Sequence, residues 1–373
     1  MKPLTIVHTE SSLGWGGQEI RILTEITGMI ERGHRVMLLT PASSEIFPAA
    51  QKLGIATTAI DIAKKRISGV LALRRWLQAH DGEIDIVNSH SSTDSWLVAL
   101  ALSTQTMRKK PALIRTRHVS TPVNNSPFTR WLYMNASAHI VTTGEALRVQ
   151  LHTQNNYPLD KLTSVRTGID LNRFYPHDKV AVRQKLGLDK RPTLGILATL
   201  RDWKGHEDLL DAMVLLRKQS TEHQAWQLLI VGDGPERERL IAKIAARGLN
   251  DVVSLVGNKD NVPEWLSAMD IFVLPSYGNE GVPQGIMQAM ACGLPVVSTP
   301  VGAIAEAVAV NESGLLVATR NPPALAEALS KLMCDTALRE KMGAAGHTIA
   351  NAKFGIDVMV DKMEQVFYKN MKH

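Results

Sequence analysis

Cysteine is nearly absent. The 373-residue chain carries two, Cys292 and Cys334. Two cysteines exclude a disulfide framework and a cysteine-rich zinc module, and suit a reducing cytosol. Long apolar runs are missing as well. No run approaches the roughly 18 residues that a membrane-spanning helix needs, and 96–102 is among the longest. The first apolar stretch, 4–7, is short and soon meets His8 and Glu10, so no secretory signal is expected there and a cytoplasmic location is. Neither a low-complexity tract nor a short internal repeat is present. Aromatic residues make up only 5% of the chain, and none interleaves with the basic clusters, which leaves nucleic acid without a recognition module. What remains, 45% hydrophobic and 21% charged residues, is the balance of a globular protein. At about 150 residues per domain, the length suggests two domains.

The formal net charge of +6 is unevenly placed. Residues 1–170 hold 19 basic and 13 acidic side chains, and the remainder holds 23 of each. One basic cluster is Lys64, Lys65, Arg66, Arg74 and Arg75; another is Arg108, Lys109 and Lys110. Between 67 and 77, Ile67, Val70, Leu71, Leu73, Trp76 and Leu77 recur near helical spacing. A basic amphipathic helix suits an anionic membrane surface. The plainer reading is a packed helix with a solvated basic edge.

Short β-branched runs alternate with helical patterns. Strands are predicted at 4–9, 35–40, 56–60, 84–89, 111–116 and 138–142, with helices such as 18–32 and 93–106 between them. The rhythm restarts after 190. Strands are predicted at 193–199, 227–231, 252–256, 270–274, 295–299 and 314–317, with helices at 204–217, 236–246, 282–291, 322–334 and 354–370. Such alternation implies two parallel sheets covered by helices, with ligands at the carboxyl ends of the strands. The segment 170–178, followed by a short helical pattern ending near Gly187, is the expected hinge.

Five constellations sit where ligands would bind. Gly14-Trp15-Gly16-Gly17 lies between a strand and a helix, where backbone N–H groups can approach an anion. It departs from the dinucleotide fingerprint because Glu19 replaces the third glycine. Lys204 follows a strand and opens a helical pattern, placed to meet a phosphate, with Arg201 able to add a fork of donors. Gly232-Asp233-Gly234-Pro235 ends a strand and starts a helix. Glu280 precedes the helix of Gln288, eight residues on, and a carboxylate there can accept from sugar hydroxyls. His118 stands at a strand end in Arg115-Thr116-Arg117-His118. Taken singly, each also reads as an ordinary turn, cap or structural residue. The cysteines have no ligand-like spacing with histidine, and no metal site is expected.

In order and in spacing, these blocks resemble the retaining glycosyltransferases of family 4. The run from Ser276 to Val297, with Glu280 and Gln288, is similar to that family's E-x7-E block; Thr167-Gly168-Ile169-Asp170 with Phe174-Tyr175-Pro176 is similar to its linker; and Gly302, Glu306 and 314–317 complete the match. The resemblance implies a GT-B fold: α/β, with two Rossmann-like, doubly wound parallel-sheet domains facing a central cleft. It implies an acceptor domain at 1–172, a sugar-nucleotide domain at 173–353, and a last helix at 354–373 crossing back to the first domain. It implies no cofactor, and a UDP- or GDP-sugar donor as substrate. Lys204 and Arg201 would neutralise the diphosphate, which Gly16 and Gly17 would approach. Glu280 would hold donor-sugar hydroxyls, with Gly281, Val282 and Pro283 beside it. Gln288 would lie by the ribose, Gly232 and Gly257 would line the donor side, and His118 would stand near the sugar. Catalytic roles fall to Glu280, His118 and Lys204. The implied acceptor is a saccharide or lipid-linked glycan, in cell-envelope polysaccharide or lipopolysaccharide synthesis. Peripheral contact with the inner face of the cytoplasmic membrane would run through Lys64, Lys65, Arg66, Arg74 and Arg75.

Three positions depart from the family pattern: Gln288 for the second glutamate, Thr199 for an arginine five residues before the lysine, and Thr167 for the linker asparagine. A sugar-nucleotide epimerase on a related scaffold and a non-catalytic subunit with a degenerate donor site are the rival readings. A nicotinamide oxidoreductase is opposed by the broken glycine fingerprint.

Overall fold

A computed structural model describes residues 2–119, 121–219, 226–278 and 280–371. The chain forms two compact units, one of residues 1–168 with 356–373, the other of residues 169–355.

The first unit holds strands β1 (Thr5–Thr9), β2 (Arg35–Thr40), β3 (Ala56–Ala59), β4 (Ile86–Ser89), β5 (Ala112–Arg117), β6 (His139–Thr142) and β7 (Leu162–Ser164). They form one sheet in the order β3-β2-β1-β4-β5-β6-β7, parallel throughout. The second unit holds β8 (Thr193–Leu197), β9 (Gln227–Val231), β10 (Val253–Gly257), β11 (Ile271–Leu274), β12 (Val296–Ser298) and β13 (Gly314–Leu316), again all parallel, in the order β10-β9-β8-β11-β12-β13. Strands β4, β6, β9 and β11 are buried along their whole length, as expected when helices cover both faces. The strand order reverses at β1/β4 in one sheet and at β8/β11 in the other. Those are the switch points where open parallel sheets leave room for a ligand.

The twelve strands expected from the sequence are present within a few residues. The thirteenth, β7, is a three-residue edge strand whose Leu-Thr-Ser gives no periodic signal. On one face of the first sheet, helix Gly17–Glu31 meets the C-terminal helix Ile356–Asn370 through Ile22, Ile26 and Met29 against Val360, Met363 and Phe367. The other face carries helices Ile67–Ala79 and Ser92–Ser103, which bury Leu73, Leu77, Leu97 and Leu102. Lys64, Lys65, Arg66 and Arg75 are exposed, as are Ile67 and Leu71 on the same helix. Among the described residues no helix is long and apolar enough to cross a membrane.

The boundary between the units differs from the sequence reading. It falls after Gly168 and again after Gly355, so the segment 170–178 is not a free hinge but part of the second unit. Ile169 N–H donates to the Phe354 carbonyl at 2.8 Å, and Ile169, Phe174 and Phe354 all enter that unit's core. Apolar side chains at 169 and 174 thus tie the expected linker down.

Helix Thr336–Lys353 was not expected either, because Gly343 and Gly346 interrupt its apolar pattern. Packing explains one of them. A β-carbon at Gly343 would stand 2.2 Å from the Gly293 carbonyl oxygen. Gly343→Ala improves helix propensity by up to about 1 kcal/mol, yet must push two backbones apart. The expected outcome is a net loss of about 1–3 kcal/mol in urea unfolding of the second unit. An unchanged or raised midpoint would mean that the contact yields freely.

Candidate active site

In the second unit the chain leaves β8, crosses Ala198–Arg201 and makes a single turn, Asp202–Lys204, before helix His206–Gln219 begins. Lys204 therefore closes a turn rather than opening the helix, as the sequence had suggested. The next residue, Gly205, has φ +76°, and a β-carbon there would lie 2.1 Å from the Pro275 carbonyl oxygen. Tyr277 N–H donates to the Trp203 carbonyl at 2.9 Å, and Gly278 leaves no room for a β-carbon against the Trp203 side chain. The loops after β8 and β11 are interlocked at the switch point.

This interlock sets Lys204 Nζ 2.6 Å from Glu280 Oε1, with both side chains largely buried. Ser276 Oγ donates to the same oxygen at 2.9 Å. Glu280 Oε2 accepts no hydrogen bond among the described residues. The ammonium has three donors and gives one to Glu280. The pair thus retains an acceptor suited to a hydroxyl and donors suited to an oxyanion. The Glu280 backbone is fixed too: its carbonyl accepts from Ala303 N–H at 3.1 Å, and Gly302, at φ +57°, sits where a β-carbon would meet that carbonyl at 1.9 Å.

The other expected residues fall around this pair. Gly232 N–H donates to the Gly257 carbonyl at 3.0 Å, and a β-carbon on Gly232 would strike the Ala198 carbonyl at 2.1 Å. The Gly-Asp-Gly-Pro turn therefore lies flat against the segment leading to Lys204. Arg201 is exposed, with its guanidinium stacked 5.2 Å from the Trp203 ring centroid. Val282 enters the core, while Gly281 and Pro283 are half-buried. Pro283 is extended, so the helix runs Gln284–Ala291 and starts two residues later than expected. Gln288 consequently lies little more than one turn in, half-buried, with no side-chain hydrogen bond among the described residues. Asn279, within the block that carried the family resemblance, lies outside the described residues.

Gly16, Gly17 and His118 belong to the first unit. Gly16 is extended and caps helix Gly17–Glu31. His118 follows β5 and joins a row of rings that sequence reasoning missed: His8 Nδ1 lies 2.9 Å from His90 Nε2, and His90 Nδ1 lies 3.0 Å from His118 Nε2. The row crosses the carboxyl ends of β1, β4 and β5. Burial, with Arg21 second, pulls His8 down to about 3; burial also carries His90 and His118 well below the usual imidazole range. All three are neutral at pH 7. His8 Nε2 is buried without a partner. An orphaned lone pair is tolerated better than an orphaned N–H, so the row runs one way. His8 Nδ1–H donates to His90, His90 Nδ1–H donates to His118, and His118 is left with its proton on Nδ1.

Beside this row, Glu10 accepts from Ser12 N–H at 2.6 Å and from Ser91 Oγ and Gln18 Nε2 at 2.5 Å each. Burial, and then Asp94, raise Glu10 to about 7, and burial raises Asp94 to about 6. The clue to this cluster was available, because His8, His90 and His118 each stand at the carboxyl end of an expected strand.

Two family models divide the chain between them: Glycosyltransferase Family 4 over residues 15–173 and Glycosyl transferases group 1 over residues 178–348. The chain belongs to the family 4 glycosyltransferases. It is 27% identical to a D-inositol 3-phosphate glycosyltransferase of Stackebrandtia nassauensis, over 88% of this chain and 81% of that one. It is 31% identical to the lipopolysaccharide core biosynthesis mannosyltransferase LpsB of Rhizobium meliloti, over 56% of this chain and 61% of that one. Among solved structures, Anabaena Alr3699/HepE in complex with UDP-glucose superposes with a TM-score of 0.83 at 20% identity, covering 98% of this chain and 100% of that one. The two parallel-sheet units have the GT-B fold.

The histidine row gives a test. The folded state keeps its imidazoles neutral while the unfolded chain protonates near pH 6.5. These groups therefore stabilise above about pH 6.5 and lose that stabilisation as pH falls. Glu10 and Asp94, with raised values, act oppositely and favour the fold less as pH rises through about 4–7. The direct readout is the ring ¹⁵N shifts of His8, His90 and His118, expected to stay neutral in type at pH 5.5. Titration of any one of them above pH 6 would contradict the buried row.

Proposed function

We propose that the protein transfers a sugar, with retention of anomeric configuration and without a metal ion, from a UDP- or GDP-sugar to a saccharide or lipid-linked acceptor of the cell envelope. The observation that carries this reading is the Lys204–Glu280 pair at the β8/β11 switch point. Supporting the donor class, the Anabaena neighbour was solved with UDP-glucose. Supporting the envelope acceptor, the Rhizobium relative is named for lipopolysaccharide core biosynthesis.

The donor belongs to the second unit. Lys204 keeps one donor on Glu280 and gives the others to the diphosphate, while Arg201 swings from Trp203 to join it. These two cations take the place of a divalent ion. Negative charge builds on the leaving phosphate as the glycosidic bond breaks, so a fixed cation stabilises the transition state more than the ground state. Glu280 Oε2 accepts from a donor-sugar hydroxyl and fixes the ring. Gly281, Val282 and Pro283 lie beside it at the start of the helix, and Gly232 and Gly257 let the backbone turn close against the donor side. Gln288 meets the ribose with an amide, which offers one acceptor and one donor group where a carboxylate offers two acceptors.

Retention through a covalent glycosyl-enzyme needs a second carboxylate as nucleophile. The nearby acids are committed: Asp202 to Tyr277 and Arg239, and Asp233 to Gly234 N–H and Arg237. Front-face attack through an oxocarbenium-like transition state suits this site. The departing diphosphate takes the acceptor's proton. The acceptor belongs to the first unit, where neutral His118 donates from Nδ1 and the Gly16-Gly17 turn opens a helix whose N-terminus suits an anion. The exposed Lys64, Arg66 and Arg75, with Ile67 and Leu71, suit a peripheral contact with an anionic membrane.

Lys204→Ala is expected to lower kcat roughly 10²–10³-fold. Glu280→Gln keeps the shape but weakens the hold on the sugar, and is expected to raise KM for the sugar nucleotide far more than the Kd for UDP. The assay is UDP or GDP release from a panel of sugar nucleotides with and without added saccharide acceptors. Unchanged turnover in Lys204→Ala would overturn the site, and equal effects of Glu280→Gln on UDP and on UDP-sugar would overturn the role of Glu280.

A further inference from the structure

Two arginines of the first unit are buried without a direct ion pair among the described residues. Arg115 and Arg117 are successive same-face residues of β5, 4% and 7% exposed. Among the described residues neither forms an ion pair. Arg115 Nη1 donates to the Ser91 carbonyl at 3.4 Å, and its guanidinium lies 4.9 Å from the Tyr133 ring centroid. Arg117 Nη1 donates to Tyr133 Oη at 3.0 Å, and its other amine reaches the Thr121 carbonyl. The Nε–H of each arginine is buried without a partner. One residue beyond Ser91, Ser92 Oγ takes a 3.5 Å contact from Lys65 Nζ. Partial burial, and then repulsion from Arg115, lower the Lys65 ammonium below its ordinary value.

A buried guanidinium stays protonated, so its charge must be met by something. The tyrosine face and two carbonyls meet it only in part. Of the carboxylates at hand, Asp94 feels the Arg115 charge without an ion pair and turns its oxygens to Thr9 Oγ1, His90 N–H and Ser91 N–H, and Glu10 holds Ser12, Gln18 and Ser91. Lys65 and Arg115 hang on consecutive residues at the start of the twelve-residue helix Ser92–Ser103, whose positive dipole end adds to theirs. We infer that Lys65, Arg115 and Arg117 form an oxyanion site in the first unit, which takes a phosphate or carboxylate substituent of the acceptor saccharide. The assignment rests on the first unit being the acceptor unit. It moves Lys65 from the membrane-facing cluster to ligand binding, while Lys64 and Arg66 keep the surface role.

The test uses the full chain saturated with UDP, so that added phosphate cannot occupy the donor site. Glucose 6-phosphate, glucuronate, inorganic phosphate and uncharged glucose are titrated calorimetrically. Glucose 6-phosphate or glucuronate is expected to bind at least about tenfold more tightly than glucose; whichever is tighter identifies the oxyanion. Lys65→Ala and Arg115→Lys are each expected to weaken that binding about tenfold, as loss of one charge-assisted hydrogen bond does, while UDP affinity stays unchanged. Equal binding of the charged and neutral sugars, or variants that leave the difference intact, would overturn the site. Because Lys65 is exposed, its variant stays interpretable even if Arg115→Lys fails to fold. Should UDP itself fail to bind, the donor reading falls separately, and the same titration on the Lys204→Ala chain still decides this site.

Discussion

The 2.6 Å ion pair between Lys204 and Glu280 is the contact on which the functional reading depends. The two residues are 76 positions apart and come from loops after two different strands. What brings them together is backbone packing with no room for side chains. Gly205 lies on the Pro275 carbonyl, Gly278 on Trp203, and Gly302 on the Glu280 carbonyl. Two of these glycines also take positive φ. A β-carbon at any of them must separate the loops, and with them the cation from the carboxylate. The strand order supplies the rest, because only at the β8/β11 reversal do neighbouring loops diverge far enough to leave a ligand between them.

The two units solve their electrostatics in opposite ways. In the second, Lys204 and Glu280 satisfy each other, and the proposed diphosphate would share the lysine. In the first, burial keeps three histidines neutral and raises Glu10 and Asp94, while Arg115 and Arg117 carry no direct ion pair among the described residues. Buried groups of this kind cost stability unless something compensates them. Several of them gather at the carboxyl ends of β1, β4 and β5, where an open parallel sheet leaves room for a ligand, while a fully buried Arg21–Glu25 pair lies on the covering helix Gly17–Glu31.

Much of this was legible in the residues. Twelve strands and the main helices follow from β-branched runs and three- and four-residue apolar steps, because parallel sheets buried on both faces impose that pattern strongly. Lys204 and Glu280 were found as local motifs and meet in the fold, and the Gly232 turn packs on Ala198 in the segment before Lys204. The histidine row was not found, because its members are 82 and 28 residues apart and meet only through strand pairing. Helix Thr336–Lys353 was not read from the sequence, and the packing of Gly343 against Gly293 is invisible in a one-dimensional pattern. The boundary was set four residues late because a Pro- and Asp-containing segment reads as a linker, while Phe174 buries it in the second unit's core.

The most direct test of the central claim is a backbone amide shift map of the full chain titrated with UDP. The largest changes are expected on Thr199–Gly205, on Gly232–Gly234 and on Glu280–Pro283, and Lys204→Ala is expected to abolish them. Saturating shifts that leave these three segments unmoved would contradict it.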